Sequence, residues 1–191
     1  EAIGGVDKVM DINSVMITSS AKVQGIAITA IDKMATPNKM AKVISGMGQV
    51  FQKVIFDGKK GYQEVQGRRI DMTPDQINEI KNASLPFVDI AYKKGKLDRI
   101  EPIAGKNYFV IIYNNTEAFY DMKSGLKYQE IRKAKGPGGK EIKIPTSYGN
   151  YKAVNGVLFP HKIDLKMGPM DLNFEIKEIK INENVTDEDF K

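Results

Sequence analysis

Apolar positions along this chain begin at helical spacing, change to alternation, return briefly to helical spacing and then alternate again. Ala2, Ile3, Val6, Val9 and Met10 share one helical face and predict a short amphipathic helix, even with Gly4-Gly5 inside it. From there the period becomes two. Val15, Ile17 and Ser19 alternate with Met16 and Thr18, and Ile26, Ile28 and Ala30 point away from Ala27, Thr29 and Ile31. Val50, Gln52, Val54 and Phe56 alternate with Phe51, Lys53 and Ile55. Thr36-Pro-Asn38, Ser45-Gly-Met-Gly48 and Asp57-Gly58 punctuate these strands as turns.

The clearest helix spans 73–83. Thr73 is a good N-cap, Pro74 takes the first helical position, Asp75 suits the positive helix end, and Gln76 completes a capping-box spacing. Ile77, Ile80 and Ala83 form its apolar stripe, and a second helical or irregular segment follows over 85–92. Strands resume from Lys96. The most β-prone run is 108–113, followed by strands over 117–121, 126–135, 141–147, 150–154 and 157–166. Lys123-Ser-Gly125 and Asn155-Gly156 are hairpin turns, and Gly168-Pro169 leads into a last strand over 170–181. In that strand Leu172, Phe174 and Ile176 share a face while Ile179 and Ile181 shift register, which predicts a bulge near Lys177. The stretch 134–140 reads as a flexible hairpin tip and 182–191 as a polar tail.

The expected fold is therefore mainly β (α+β), a curved antiparallel sheet or incomplete β-barrel of about nine to eleven strands wrapped over a few helices. It forms one domain over 1–191, since no linker separates two. Many strands carry apolar residues on both faces, so each face needs a cover.

Composition adds exclusions. With a net charge of +5 and no basic block, a nucleic-acid partner is not expected, although an anionic membrane surface remains open as a partner. There is no cysteine, which removes disulfides and thiolate metal sites. No apolar run approaches the roughly 18 residues a membrane helix needs. The chain opens at Glu1 without a methionine, which predicts an upstream tag, signal peptide or preceding domain.

Residues for chemistry are sparse. His161 is the only histidine and has no cysteine or second histidine with which to share a metal, so its expected role is structural. No serine sits in a nucleophile elbow. Gly136-Pro-Gly-Gly139 lacks the Gly-Lys-Ser/Thr ending of a phosphate loop. Asp187, Glu188 and Asp189 read as a solvated acidic cluster. Three Asn-x-Ser/Thr sequons, at Asn82, Asn114 and Asn184, matter only in a eukaryotic secretory setting. No catalytic residue, metal or cofactor is expected, and the protein is not expected to be an enzyme. Nine methionines supply adaptable apolar surface, as core filling or as the wall of a site that accepts varied apolar ligands.

Four stretches in order carry a resemblance: Ala2-Ile-Gly-Gly-Val6, Met72-Thr-Pro-Asp-Gln76, Phe119-Tyr-Asp-Met-Lys-Ser-Gly-Leu126 and Asn150-Tyr-Lys-Ala-Val-Asn-Gly-Val-Leu-Phe-Pro160. With them the sequence resembles the bacterial outer-membrane lipoprotein-carrier superfamily of LolA/LolB-like fold, in its Bacteroidetes-type envelope form. That resemblance implies a monomeric, non-enzymatic protein of the periplasm or outer membrane. Its apolar cavity would hold a lipid or lipoprotein acyl chain, with a membrane surface or an envelope protein as a further partner. No motif places the family's cavity-gating arginine on Arg68, Arg69, Arg99 or Arg132. The residues expected to line the cavity are Ile26, Ile28, Met40, Val50, Val54 and Phe56 in the first half of the chain, and Phe109, Ile111, Phe174 and Ile176 in the second. The alternative is a non-catalytic accessory or protein-interaction module, such as those that follow insulinase-type peptidases.

Overall fold

A computed structural model describes residues 1–83, 86–135, 140–168 and 170–191, with the side chains of Asn82, Ala83, Val88, Lys135 and Met167 left aside. The expected hairpin tip at 136–139, the turn residue Pro169 and the sequon serine Ser84 lie outside the described residues. The fold is mainly β, as the alternation predicts. Among the described residues it has thirteen strands: β1 (Ser14–Val23), β2 (Ile26–Ala35), β3 (Lys39–Gly46), β4 (Gln49–Phe56), β5 (Gly61–Val65), β6 (Arg68–Asp71), β7 (Lys96–Ile103), β8 (Lys106–Tyr113), β9 (Thr116–Asp121), β10 (Lys127–Lys135), β11 (Glu141–Val154), β12 (Val157–Met167) and β13 (Met170–Ile181). The described residues also form two helices, α1 (Val6–Met10) and α2 (Pro74–Ala83), and 3₁₀ turns at Val88–Lys94 and Asp187–Phe190.

Strand order is β6-β5-β4-β3-β2-β1-β13-β12-β11-β10-β9-β8-β7, so the sheet is open, with β6 and β7 at its edges. Every strand pair with a recorded register is antiparallel. The count exceeds the expected range because β5 and β6, a hairpin of short strands of which β6 is exposed throughout, carry little apolar alternation. Conversely, the separate strands expected over 141–147 and 150–154 are one continuous strand, β11.

The chain divides into two compact units. The N-terminal meander comprises Val6–Val88 with Glu175–Lys191, and the C-terminal meander comprises Glu1–Gly5 with Asp89–Phe174. In the N-terminal meander one sheet face buries Val15, Ala30 and Phe56. The other face buries Ala41, Ile55 and Tyr62, and Phe190 packs into that cluster together with Ala35 and Val185. The polar tail expected over 182–191 is thus a cover for this face. Asp187 and Asp189, expected to be solvated, reach Lys39 and Lys33 across gaps of 2.6 and 2.5 Å. Asn182 Oδ1 ties the segment down by accepting from the Asn13 and Ser14 amides at 2.8 and 3.0 Å.

Helix α2 begins as its sequence requires. The Thr73 amide donates to Gln76 Oε1 (2.9 Å) and the Gln76 amide donates to Thr73 Oγ1 (3.4 Å), closing the capping box. Helix α1 is shorter than the spacing predicted. Gly4 and Gly5 have φ of +125° and +96°, outside any helix, so it starts only at Val6.

The residues before α1 instead belong to the C-terminal meander. The Leu158 amide donates to the Ile3 carbonyl oxygen at 2.8 Å. A Cβ on Gly4 would collide with the carbonyl oxygen of Gly156, and one on Gly125 would meet Ala2 Cβ at 2.8 Å. Three of the four stretches that carry the family resemblance therefore meet at one packed corner. The bulge expected near Lys177 is present as well. Thr18 faces Glu178 and Ser19 faces Ile176, which leaves Lys177 as the extra residue.

Candidate functional site

Register decides which of the expected cavity residues share a face, because directly opposed residues in an antiparallel ladder lie on the same side. In the N-terminal meander Ile28 opposes Ala21, and Ala30 opposes Ser19, which on its other side opposes Ile176. Met34 opposes Met40, which opposes Phe56, and Lys42 opposes Val54. With Ile26 two residues before Ile28, six expected residues lie on one face: Ile26, Ile28, Met40, Val54, Phe56 and Ile176. Phe56 and Ile176 are buried deepest, Met40 and Val54 are half-buried, and Ile26 lies at the exposed hairpin end.

Val50 departs from this set. Ile44 faces Gln52 but Ser45 faces Val50, so Phe51 is an extra residue that reverses the alternation. Val50 thereby joins the face of Ser45 and Thr29, where it is 52% exposed beside Met47 at the β3–β4 turn. The sequence shows Val50 and Val54 at even spacing and gives no sign of the bulge between them.

A charged pair interrupts the apolar face, and the sequence reading missed it. Asp32 and Lys42 oppose each other across β2 and β3, with Lys42 Nζ 2.9 Å from Asp32 Oδ1. Each looks like an ordinary surface charge in its own strand; only the pairing register brings them together beside Val54.

In the C-terminal meander Phe109 opposes Tyr120 and Ile111 opposes Ala118, so the two expected residues share a face. Phe174 lies two residues before Ile176 on β13 and is half-buried. The turn at Val88–Lys94 covers the Phe109 face. Tyr92 packs edge-on against Tyr113 and Tyr120, with ring centroids 5.8 and 6.5 Å apart. A Cβ on Gly95 would approach Ile111 Cγ2 to 2.7 Å, so the turn needs a glycine to come this close.

That cover is pinned by a buried polar cluster. Lys127, 8% exposed, places Nζ 3.3 Å from Asp89 Oδ2 and 3.4 Å from Glu130 Oε2, and lies over the ring of Tyr148 at 4.6 Å. Tyr120 donates to Asp89 Oδ1 at 2.5 Å, Tyr92 to Glu130 Oε2 at 3.3 Å and Tyr151 to the Lys127 carbonyl oxygen at 2.7 Å. Burial first, and then the nearby Asp89 and Glu130 carboxylates, pushes the hydroxyls of Tyr92, Tyr120, Tyr148 and Tyr151 well above the ordinary tyrosine range. The phenols therefore act as neutral donors, Tyr120 holding Asp89 and Tyr92 holding Glu130 in place. The only sequence signal was the crowding of tyrosines between 92 and 151.

His161 is half-buried, with Nδ1 3.1 Å from the Phe159 carbonyl oxygen, a contact within its own strand. Among the described residues no three His, Cys, Asp or Glu side chains converge as metal ligands. No described helix is long and apolar enough to cross a membrane.

Among solved structures, the chain is similar to a LolA superfamily protein from Nitrosomonas europaea (TM-score 0.63, 12% identity, covering 95% of this chain and 90% of that one). It is also similar to a DUF1329 family protein from Desulfovibrio piger (TM-score 0.59, 8% identity, 97% and 92% covered). A third match is a domain assigned as an outer membrane lipoprotein-sorting protein from Vibrio parahaemolyticus (TM-score 0.57, 10% identity, 94% and 89% covered). No protein-family model matches the sequence, and no curated protein matches it. At these identities the likeness concerns the fold, which is LolA-like.

Proposed function

We propose that this protein is a non-enzymatic binding protein of the periplasm or outer membrane that holds a lipid or lipoprotein acyl chain. The observation that supports this most is the convergence of Ile26, Ile28, Met40, Val54, Phe56 and Ile176 on one face of the N-terminal meander, with Met34 opposite Met40. An alkyl chain laid on such a surface gains about 0.8 kcal/mol for each buried methylene, without any directional contact. The Asp32–Lys42 pair offers one polar point for a head group. Structural neighbours from the LolA superfamily and a lipoprotein-sorting domain point in the same direction. The membrane would be the source or destination of the ligand, and Met47 and Val50, exposed at the β3–β4 hairpin end, suit contact with a membrane surface.

The alternative, an accessory module that binds a partner protein, draws on a different observation. Leu97 and Ile100 on edge strand β7 are 57% and 53% exposed. Titration with a fluorescent fatty acid separates the two readings. Binding by the wild type that is lost in Val54→Asp, with an unchanged circular dichroism spectrum, supports the carrier. Equal binding by both, or by neither, leaves the partner-module reading in its place.

A further inference from the structure

The hairpin between β3 and β4 turns on Met47 and Gly48, whose φ values of +50° and +75° make the two-residue connection that suits twisted strands. Soon after it comes Phe51, the residue left over when Ser45 pairs with Val50 and Ile44 with Gln52. Alternation counted back from Phe56, Val54 and Gln52 would put Val50 on their face and Phe51 on the opposite one. A bulge re-aims side chains, and this one exchanges the two. Val50 goes to the face of Ser45, and the Phe51 ring crosses to the face of Ile28. What locates the ring is Gly46, which opposes Ile28. A Cβ on Gly46 would stand 2.8 Å from Phe51 Cε2, 3.3 Å from Ile28 Cγ2 and 2.8 Å from the Ala27 carbonyl oxygen. The ring thus fills the place of the side chain that Gly46 lacks, beside Ile28. The Gln66 amide donates to the Phe51 carbonyl oxygen at 3.3 Å, which ties down the backbone of the extra residue.

This places an aromatic ring at the open end of the apolar face. At the other end Val15 and Phe56 are fully buried, whereas here Ile26 is 38% and Val65 43% exposed. Both belong to the face in question. Ile26 opposes Val23 two residues before Ile28, and Val65 opposes Gln52 two residues before Val54. Strand β3, over which the ring lies, runs between β2 and β5, which carry these two side chains. Phe51 itself is half-buried. A ring that keeps free surface beside exposed aliphatic side chains is where an alkyl chain gains burial that the protein's own residues leave unfilled.

We infer that Phe51 is a ligand-contact residue of the acyl-binding face, its ring seated over Gly46 so that the alkyl chain packs against it at the hairpin end. The inference rests on the acyl-chain reading and names a contact within it that alternation assigns to the opposite face. The test is NMR of the full chain with laurate, in which through-space contacts between ligand methylenes and individual side chains are read directly. The expected result is contacts from the laurate chain to the Phe51 ring and the Ile28 methyls, and none to the Val50 methyls. Phe51→Ala should weaken laurate binding about fivefold, and Phe51→Leu, which keeps an apolar side chain there, about twofold. Phe51→Leu alone carries the affinity test if Phe51→Ala does not fold. Laurate that binds and touches Ile28 but not Phe51, or that touches Val50 instead, overturns the inference and leaves the acyl-chain reading standing. Folded variants that bind laurate as tightly as the wild type overturn it as well. A wild-type spectrum that laurate does not shift anywhere overturns the acyl-chain reading, and this contact with it.

Discussion

Each meander covers one sheet face with a short non-strand segment held by ion pairs, but the two do so under opposite electrostatic conditions. In the N-terminal meander the cover is the turn at Asp187–Phe190, whose Phe190 is buried while its carboxylates meet Lys33 and Lys39 near solvent, Asp187 itself being 81% exposed. In the C-terminal meander the cover is the turn at Val88–Lys94, and its clamp is the 8%-exposed Lys127 within a ring of tyrosines. The first arrangement leaves stability to the apolar contact and lets the charges orient the segment. The second places a charge where its loss would leave Asp89 and Glu130 short of a cation.

The sharpest way to break the comparison is Lys127→Met beside Lys39→Met. The first should cost about 3 to 4 kcal/mol in urea denaturation followed by tyrosine fluorescence, toward the lower end for a broken buried pair because Asp89 and Glu130 keep some exposure. The second should cost under about 1 kcal/mol, as exposed pairs do. Equal losses would show that burial does not distinguish the two clamps. Phe190→Ala should cost about 3 kcal/mol by the same measurement, the low end for a buried phenylalanine, because a four-residue turn can detach without unfolding the sheet.

The two clamps should also fail at opposite ends of the pH scale. Burial and neighbouring carboxylates raise the tyrosine hydroxyls of the C-terminal meander in the folded state, so their contribution is complete below the unfolded value near 10 and is lost as pH rises toward the folded values. Tyr120→Phe should remove about 1 kcal/mol of that alkaline sensitivity at pH 11, read from denaturation midpoints at pH 8 and pH 11. Asp189 behaves in reverse. Burial pushes its carboxyl up, but the Lys33 ammonium and the Thr186 amide outweigh this and hold it below the ordinary range. Its contribution is present above the unfolded value and lost as pH falls through the folded one. The effect, under about 1 kcal/mol, should show as a shift of the Phe190 ring signals in acid before the sheet melts.

Alternation made the strands legible, and the mismatch of Ile176 with Ile179 and Ile181 made the Lys177 bulge legible, because both are local signals. The Phe51 bulge left no trace, since valine, phenylalanine and glutamine around it keep a plausible alternation of their own, and Val50 was assigned to the wrong face as a result. The terminal segment looked solvated because its charges are dense; the residues that receive it, Lys33, Lys39 and Tyr62, lie more than a hundred positions away. The Lys127 cluster was hidden for the same reason. Its members come from the Val88–Lys94 turn and from β9, β10 and β11, and the crowding of tyrosines between 92 and 151 does not say which of them meet Lys127.

Native mass spectrometry of the protein purified from bacterial cells without detergent tests the apolar-face assignment most directly. The expected spectrum shows a fraction of the protein carrying an added mass of lipid or fatty-acid size, which is absent from Val54→Asp purified in the same way. A wild-type spectrum without any such added mass, even after incubation with phospholipid vesicles, would contradict a role in holding acyl chains.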